Sequence, residues 1–393
     1  MSFLQSIKLS GFLSFAPDNP GIDLTSLNVL IGPNGSGKSN FIEALEVLHA
    51  TPTALAAFVR EGGTAQEWLW KGKPEAKYSA VEAVIQGGQK MPDLRYSLSF
   101  APASQRMEVL DEVIEEPVKR FANEKDVIFY YRFQRGHPVL NIRDDSGGFT
   151  RRRLKREDLV PDESVLSQRK DPDVYPEITW LGQQFARIQT FRDWTFGRSS
   201  PLRTPQRADL QTDELLPNSD NLGLVLNELQ HTDISAEFNR LLSRFLPRFK
   251  RFTTRIHGGT VQFYLHEEGL KSPVPATRLS DGTIRFMAML AMLLSPTPPP
   301  VLCLEEPELG LHPDAVSLLA DLLADASTRT QLIVTTHSDA LVSALTDHAD
   351  SVLVCEHRGG TVLRRVEPEK IGHWLEEYRL GEIWRIGELG GNP

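Results

Sequence analysis

The chain has 393 residues, 40% of them hydrophobic, and a formal net charge of −9. That length holds two domains or one domain with a large insertion, with enough apolar content for a substantial core, and the acidic balance argues against a uniformly basic nucleic-acid binder. The two cysteines, Cys303 and Cys355, lie in apolar strand-like runs, which favours buried thiols in a reducing compartment over a disulfide. No apolar run approaches the ~18 residues of a membrane span, and Met1 to Lys8 lacks the build of a signal peptide. A cytoplasmic protein with no membrane attachment is therefore expected.

In chain order, the alternating segment Leu9 to Phe15 comes first, followed by the apolar run Leu27-Asn28-Val29-Leu30-Ile31, which predicts a buried strand. Gly32-Pro33-Asn34-Gly35-Ser36-Gly37-Lys38-Ser39-Asn40 follows at once and fits GxxxxGK[ST], and Phe41 to Leu45 continues with helical periodicity. Strand, glycine-rich loop and helix together make a phosphate-binding loop. Its glycines let backbone N–H groups turn toward a phosphate, the helix adds its positive end, Lys38 supplies a cation, and the Ser39 hydroxyl can reach Mg²⁺. Arg60 is a second cation that could reach a phosphate, against the plainer reading of a solvated Arg at a helix end.

Five runs then read as strands: Lys77 to Ile85, Leu94 to Phe100, Met107 to Val113, Val127 to Phe133 and Pro138 to Ile142. Helical periodicity returns only around Ile178 to Ile188 and Leu222 to Leu229. No heptad pattern is sustained and prolines interrupt the stretch, so a compact β-rich and then helical insertion is predicted, not a long coiled coil. The expected division is 1–63 for a first lobe, 64–244 for the insertion and 245–393 for a second lobe. Ser199 to Asn221, rich in Pro, Ser, Arg and Asp, reads as a mobile loop. Two cationic runs stand out, Arg151 to Arg156 and the set Arg240, Arg244, Arg248, Lys250, Arg251 and Arg255. Each could line a phosphate backbone, or form a solvated face or a subunit contact.

Three later segments bear on the phosphate loop. Leu279-Ser280-Asp281-Gly282-Thr283 opens the apolar helix Ile284 to Leu294, and a Ser N-cap with a Gly at a positive helix end is a second anion site, although alone it is ordinary turn chemistry. Val301-Leu302-Cys303-Leu304-Glu305-Glu306-Pro307-Glu308 is an apolar strand delivering adjacent carboxylates. Glu305 would hold a metal's hydration shell and Glu306 would polarise a water. Gln331 to Ser338 is another apolar strand that ends in His337, which by itself reads as a capping or structural His.

In this order the four motifs resemble the ATP-binding-cassette ATPases of the SMC and RecF type, most closely the single-chain OLD-like ATPases without a Toprim domain. The resemblance implies an α/β P-loop ATPase head, with a mixed central sheet and an antiparallel β subdomain, that binds ATP and Mg²⁺ and hydrolyses ATP. Gly32 to Asn40 is similar to that family's Walker A, Leu279 to Gly282 to its signature, Val301 to Glu306 to its Walker B, Leu309 to Pro313 to its D-loop, and His337 to its switch histidine. Lys38, Glu306 and His337 are thereby implied as catalytic, and Ser39 and Glu305 as metal-holding. Gln168 is the implied Q-loop glutamine and third metal-site residue, linking Mg²⁺ to the helical lobe, with Gln183, Gln184 and Gln189 as rivals. Transporter cassettes usually carry Asp where Glu305 stands; the Glu-Glu-Pro-Glu form points to the OLD-like branch. The resemblance further implies a homodimer or higher oligomer sandwiching ATP, with Ser280, Asp281 and Gly282 serving the partner's nucleotide. It also implies action on DNA in genome maintenance or anti-phage defence, with a separately encoded nuclease or toxin, because the segment after His337 looks too short for a Toprim domain. A scaffold switch with little turnover and a transport subunit are the competing readings.

Overall fold

The computed structural model describes residues 2–104, 106–120, 126–134, 136–143, 149–192, 197 and 200–391. The apolar runs around the phosphate loop and the carboxylate pair become neighbours in a six-stranded sheet. Its order is Gln189–Phe191, Val301–Glu305, Gln331–Thr335, Leu27–Ile31, Val352–His357 and Thr361–Arg365. Every pairing is parallel except that between the last two strands. A parallel sheet is covered on both faces, which is why its strands read as continuous apolar runs. Alternate residues of one strand enter opposite cores: Leu302 and Leu304 pack with helices Asp281–Leu293 and Pro313–Ala326, whereas Val301 and Cys303 pack with Lys38–Ala50 and Pro176–Ala186. Each large side chain sealed there, such as Phe41 or Phe185, contributes about 1.5–3 kcal/mol. Both cysteines are free and buried, and burial pushes the Cys355 thiol up to about 12.

A second, antiparallel sheet has eight strands in the order Ile22–Asp23, Leu4–Ser10, Ser79–Ile85, Leu94–Ala103, Arg106–Glu115, Phe129–Gln134, His137–Arg143 and Phe149–Arg153. The five strands expected in the insertion are present with ends moved by a few residues. Phe149–Arg153 was not expected, because its arginines read as a cationic run. It is an exposed edge strand, so it needs no apolar alternation and carries charge that blocks further pairing. The side chain of Arg156, at the end of that run, lies outside the described residues.

The expected boundaries 1–63, 64–244 and 245–393 do not follow the sheets. Leu4–Ser10 pairs with Ser79–Ile85, so the first lobe and the front of the insertion share one sheet. Gln189–Phe191 pairs with Val301–Glu305, so the middle of the insertion supplies the edge of the parallel sheet. Local pattern locates strands, but long-range register decides their partners.

A third, four-stranded sheet has Gln206–Arg207, Thr260–Glu267 and Phe249–His257 in order, with Val274–Pro275 also on Thr260–Glu267. Helices Leu222–Leu229 and Ile234–Phe245 cover it. Within the expected mobile loop Ser199 lies outside the described residues, but Leu202 and Leu215 are sealed in the core and Gln206 Nε2 donates to the Ser219 carbonyl at 3.2 Å. Among the described residues the helix Pro313–Ala326, with 14 residues, is as long as any, and no helix is long and apolar enough to cross a membrane.

Candidate active site

Strand Leu27–Ile31 ends at Gly32, where φ is 147° and a Cβ would stand 2.4 Å from the Cys355 carbonyl oxygen. Gly37, the N-cap of helix Lys38–Ala50, has φ 103°, and a Cβ there would lie 2.1 Å from Thr361 Oγ1. No side chain fits at either position, and the loop can close only on glycine. The first-turn N–H groups of the helix have no intrahelical partners and sit at its positive end. Lys38 Nζ donates to the carbonyls of Gly32 at 2.8 Å and Pro33 at 3.1 Å. Burial lowers its pKa, and the nearby Cys355, Glu306 and Glu305 oppose that shift. Ser36 Oγ is buried with no hydrogen-bond partner among the described residues, and a Cβ at Gly35 would meet nothing within 4 Å. An orphaned hydroxyl, a lysine and open space beside a helix N-terminus fit a polyphosphate. Pro33 and Asn34 form the outer rim, while Asn40 is a brace: its Nδ2 donates to Ser14 Oγ at 2.8 Å.

Ser39 Oγ donates to Glu305 Oε1 at 2.5 Å, so the parallel sheet joins a hydroxyl and a carboxylate from residues far apart in sequence. This is a pair of hard oxygen donors suited to Mg²⁺. The next residue, Glu306, has φ 45°, a left-handed conformation that costs a non-glycine residue energy and persists only where its surroundings impose it. Here its N–H donates to the Thr335 carbonyl at 3.0 Å and its own carbonyl accepts from Arg285 Nη2 at 2.6 Å. Glu306 Oε1 lies 3.8 Å from His337 Nε2. Burial lowers the His337 pKa, Lys38 lowers it further and Glu306 opposes. Glu308 is half-buried, the desolvation raises its pKa, and it accepts the Thr336 hydroxyl.

Arg192 escaped the sequence reading. It follows strand Gln189–Phe191, and its Nε donates to Glu305 Oε2 at 3.0 Å, Nη1 to Glu46 Oε2 at 2.9 Å and Nη2 to Glu43 Oε1 at 3.5 Å. Burial opposes its charge, but Glu46, Glu305 and Glu43 outweigh it and push its pKa up. The legible signal was Glu43 and Glu46 three apart on one helix face, a carboxylate pair needing a cation.

Ser280 caps helix Asp281–Leu293, its Oγ accepting the Thr283 N–H at 3.1 Å. The Asp281 carboxylate accepts from Arg203 Nε and from the Gly197 N–H, each at 3.2 Å, and the Arg203 guanidinium holds it below the usual range. A Cβ on Gly282 would stand 2.9 Å from the Gly310 carbonyl oxygen, so this helix end rests on the Leu309–Pro313 loop. Arg285, deep in the same apolar helix, donates to the carbonyls of Glu306 and Leu309, and burial brings its pKa down to about 10. Among the described residues no hydrogen bond joins Ser280, Asp281 or Gly282 to Lys38, Ser39 or Glu305.

Gln168 is not in this cluster. Its amide is engaged with the backbone of its own turn: Oε1 accepts the Val160 N–H at 2.8 Å and Nε2 donates to the Glu163 carbonyl at 3.0 Å. The rival Gln189 donates to Glu214 Oε2 at 2.8 Å. The polar end of the strand beside Glu305 carries Arg192 instead. Arg60 Nε donates to the Ala56 carbonyl of its own helix at 3.1 Å.

A family model described as "AAA domain, putative AbiEii toxin, Type IV TA system" matches residues 27–343. Among curated proteins, the chain is 34% identical over 92 residues to the chromosome partition protein Smc of Mycoplasma pneumoniae, covering 23% of this chain and 9% of that one. It is 38% identical over 69 residues to the Old nuclease of Escherichia phage P2, covering 17% of this chain and 12% of that one. The chain thus spans only a small part of either relative. Among solved structures, an Smc head bound to the C-winged helix domain of ScpA aligns with TM-score 0.60 and 16% identity over 94% of this chain and 99% of that one. A Pyrococcus furiosus Smc head with an extended coiled coil, bound to the C-terminal domain of ScpA, aligns with TM-score 0.59 and 16% identity over 96% and 99%. Those likenesses establish the P-loop head fold. With the family model spanning most of the chain, the protein belongs to the AAA-domain family so described.

Proposed function

We propose that the protein hydrolyses ATP, that two copies close head to tail around two ATP·Mg²⁺, and that closure acts on or senses DNA. The observation that carries this reading is the convergence of Lys38, Ser39, Glu305, Glu306 and His337 at one end of the parallel sheet, while Ser280 stands at a helix end bonded elsewhere. Phosphoryl transfer asks mainly for positioning and charge neutralisation. The loop N–H groups and Lys38 hold the phosphates; Ser39 and Glu305 would hold Mg²⁺, which when bound neutralises phosphate charge. The Glu306 carboxylate accepts a proton from the attacking water, and His337, 3.8 Å from that carboxylate, stands beside the same reacting position. Ser280, Asp281 and Gly282 offer their helix end to the partner's nucleotide.

The partial matches to Smc and to Old nuclease support a link to DNA. Chemistry on the nucleic acid is assigned to a separate nuclease or toxin chain that the ATP-bound dimer licenses, within the cytoplasm. The test is mass in solution for wild type and Glu306→Gln, with and without ATP and Mg²⁺. The expected result is a dimer that needs ATP and is trapped by Glu306→Gln. A nucleotide-independent assembly would overturn the sandwich and leave ATP acting on a preformed scaffold.

A further inference from the structure

The cationic run from Arg240 to Arg255 splits in space. Arg240 pairs with Glu237, Arg244 lies 3.6 Å from Asp321, and Arg248 lies 3.4 Å from Glu267. Among the described residues no ion pair takes up Lys250, Arg251 or Arg255. All three belong to strand Phe249–His257, which pairs on one side only, with Thr260–Glu267.

The pleat sorts this hairpin. Phe252, Val261, Phe263 and Leu265 are buried, and Thr254 faces the same way, its hydroxyl donating to Asn227 Oδ1 at 2.6 Å. The opposite face carries Arg251, Thr253, Arg255 and His257 beside His266, Tyr264, Gln262 and Thr260, paired in that order. None of these is acidic. Asp209, near the adjoining Arg207, is tied to that arginine at 2.9 Å. Arg255 lies over the Tyr264 ring at 5.0 Å, and Thr253 Oγ1 contacts His266 Nε2 at 3.1 Å.

We propose that this outward face of the hairpin binds the phosphate backbone of double-stranded nucleic acid. The proposal rests on the DNA reading above and names its surface. Charge complementarity carries it: in a chain of net charge −9, this face gathers cations, hydroxyls, an amide and imidazoles with no carboxylate of its own. Arg251 and Arg255 are separated by about 13 Å of strand, roughly the advance of four phosphates along one duplex strand. His266 adds a built-in reporter. Burial lowers its pKa, and the charges of Arg251 and Arg255 lower it further, so a polyanion seated over them must raise it.

The test compares wild type, Arg251→Gln/Arg255→Gln and Arg240→Gln/Arg244→Gln for binding to a short fluorescent duplex across a salt series, in the presence of ATP and Mg²⁺. The first double variant is expected to weaken binding about tenfold or more at low salt and to lower the log–log salt slope by about 2, with basal ATPase unchanged. The second should bind like wild type, and the His266 imidazole signal should titrate at higher pH once duplex is added. If wild type binds no duplex, the DNA reading and this surface fall together. If wild type binds and Arg251→Gln/Arg255→Gln binds equally with the same slope, this surface alone is overturned, and the arginines serve only to guard an edge strand against pairing.

Discussion

A guanidinium touching Glu305 competes with any cation that carboxylate is to hold. Arg192, at 24% side-chain exposure, bridges Glu305 to Glu46 and Glu43 and so neutralises a carboxylate cluster when no metal is near. Replacing it with Ala removes the competitor and leaves three carboxylates facing one another. Arg192→Ala should therefore reach half-maximal ATPase at lower Mg²⁺, while the metal-free protein loses about 1–3 kcal/mol of stability. Titration of ATPase against Mg²⁺, paired with denaturant unfolding in chelator, reads both effects; an unshifted Mg²⁺ requirement would reduce Arg192 to a brace. At this scale the sequence was legible wherever a motif fixes both residue type and spacing, as at Gly32 to Ser39. Arg192 was not, because its role arises from Gln189–Phe191 pairing with Val301–Glu305 across more than a hundred positions. Nor could the strained φ of Glu306 be read, since it depends on bonds to Thr335 and Arg285.

Elements were the most legible level. Period-2 alternation located Ser79–Ile85, Leu94–Ala103 and Arg106–Glu115, and continuous apolar runs located Leu27–Ile31, Val301–Glu305 and Gln331–Thr335. What periodicity could not give was contact between elements. Helix Asp281–Leu293 reaches the loop that follows Glu305 in two places, through Arg285 on the carbonyls of Glu306 and Leu309 and through Gly282 against the Gly310 carbonyl. A single arginine inside an apolar helix was the visible hint, because a buried cation requires partners. Movement of that helix is thereby tied to the backbone that aims Glu306. Gly282→Ala places a methyl 2.9 Å from a backbone oxygen, which must shift by a few tenths of an ångström at least. The expected outcome is a drop in kcat of about tenfold or more, equivalent to about 1.4 kcal/mol or more of lost transition-state stabilisation, with ATP affinity of the protomer unchanged. Steady-state kinetics beside nucleotide-binding titration checks it. Equal loss in both would place Gly282 in the protomer's own nucleotide site.

For the whole molecule, the two proposed associations respond oppositely to salt. Two copies of a chain with net charge −9 repel one another, and bound nucleotide adds further negative charge. That repulsion acts over a Debye length of about 30 Å at 0.01 M salt but only about 10 Å at 0.1 M. In the proposed sandwich the Leu309–Pro313 loop would lie at the contact and offer an apolar group, Leu309, which is 59% exposed, and apolar contact is not screened. Raising salt over this range should therefore strengthen the ATP-trapped dimer of Glu306→Gln, whereas phosphate contacts on the hairpin face release counterions and weaken. Sedimentation of Glu306→Gln with saturating ATP and Mg²⁺, run with and without duplex, separates the two. Opposite slopes mean that DNA recruits the protein and ATP closes it, so that a duplex carrying two protomers offsets their mutual repulsion and promotes closure most at low salt. A dimer that dissociates as salt rises would instead place complementary charges at the subunit contact, and Leu309→Glu would then leave dimerisation intact.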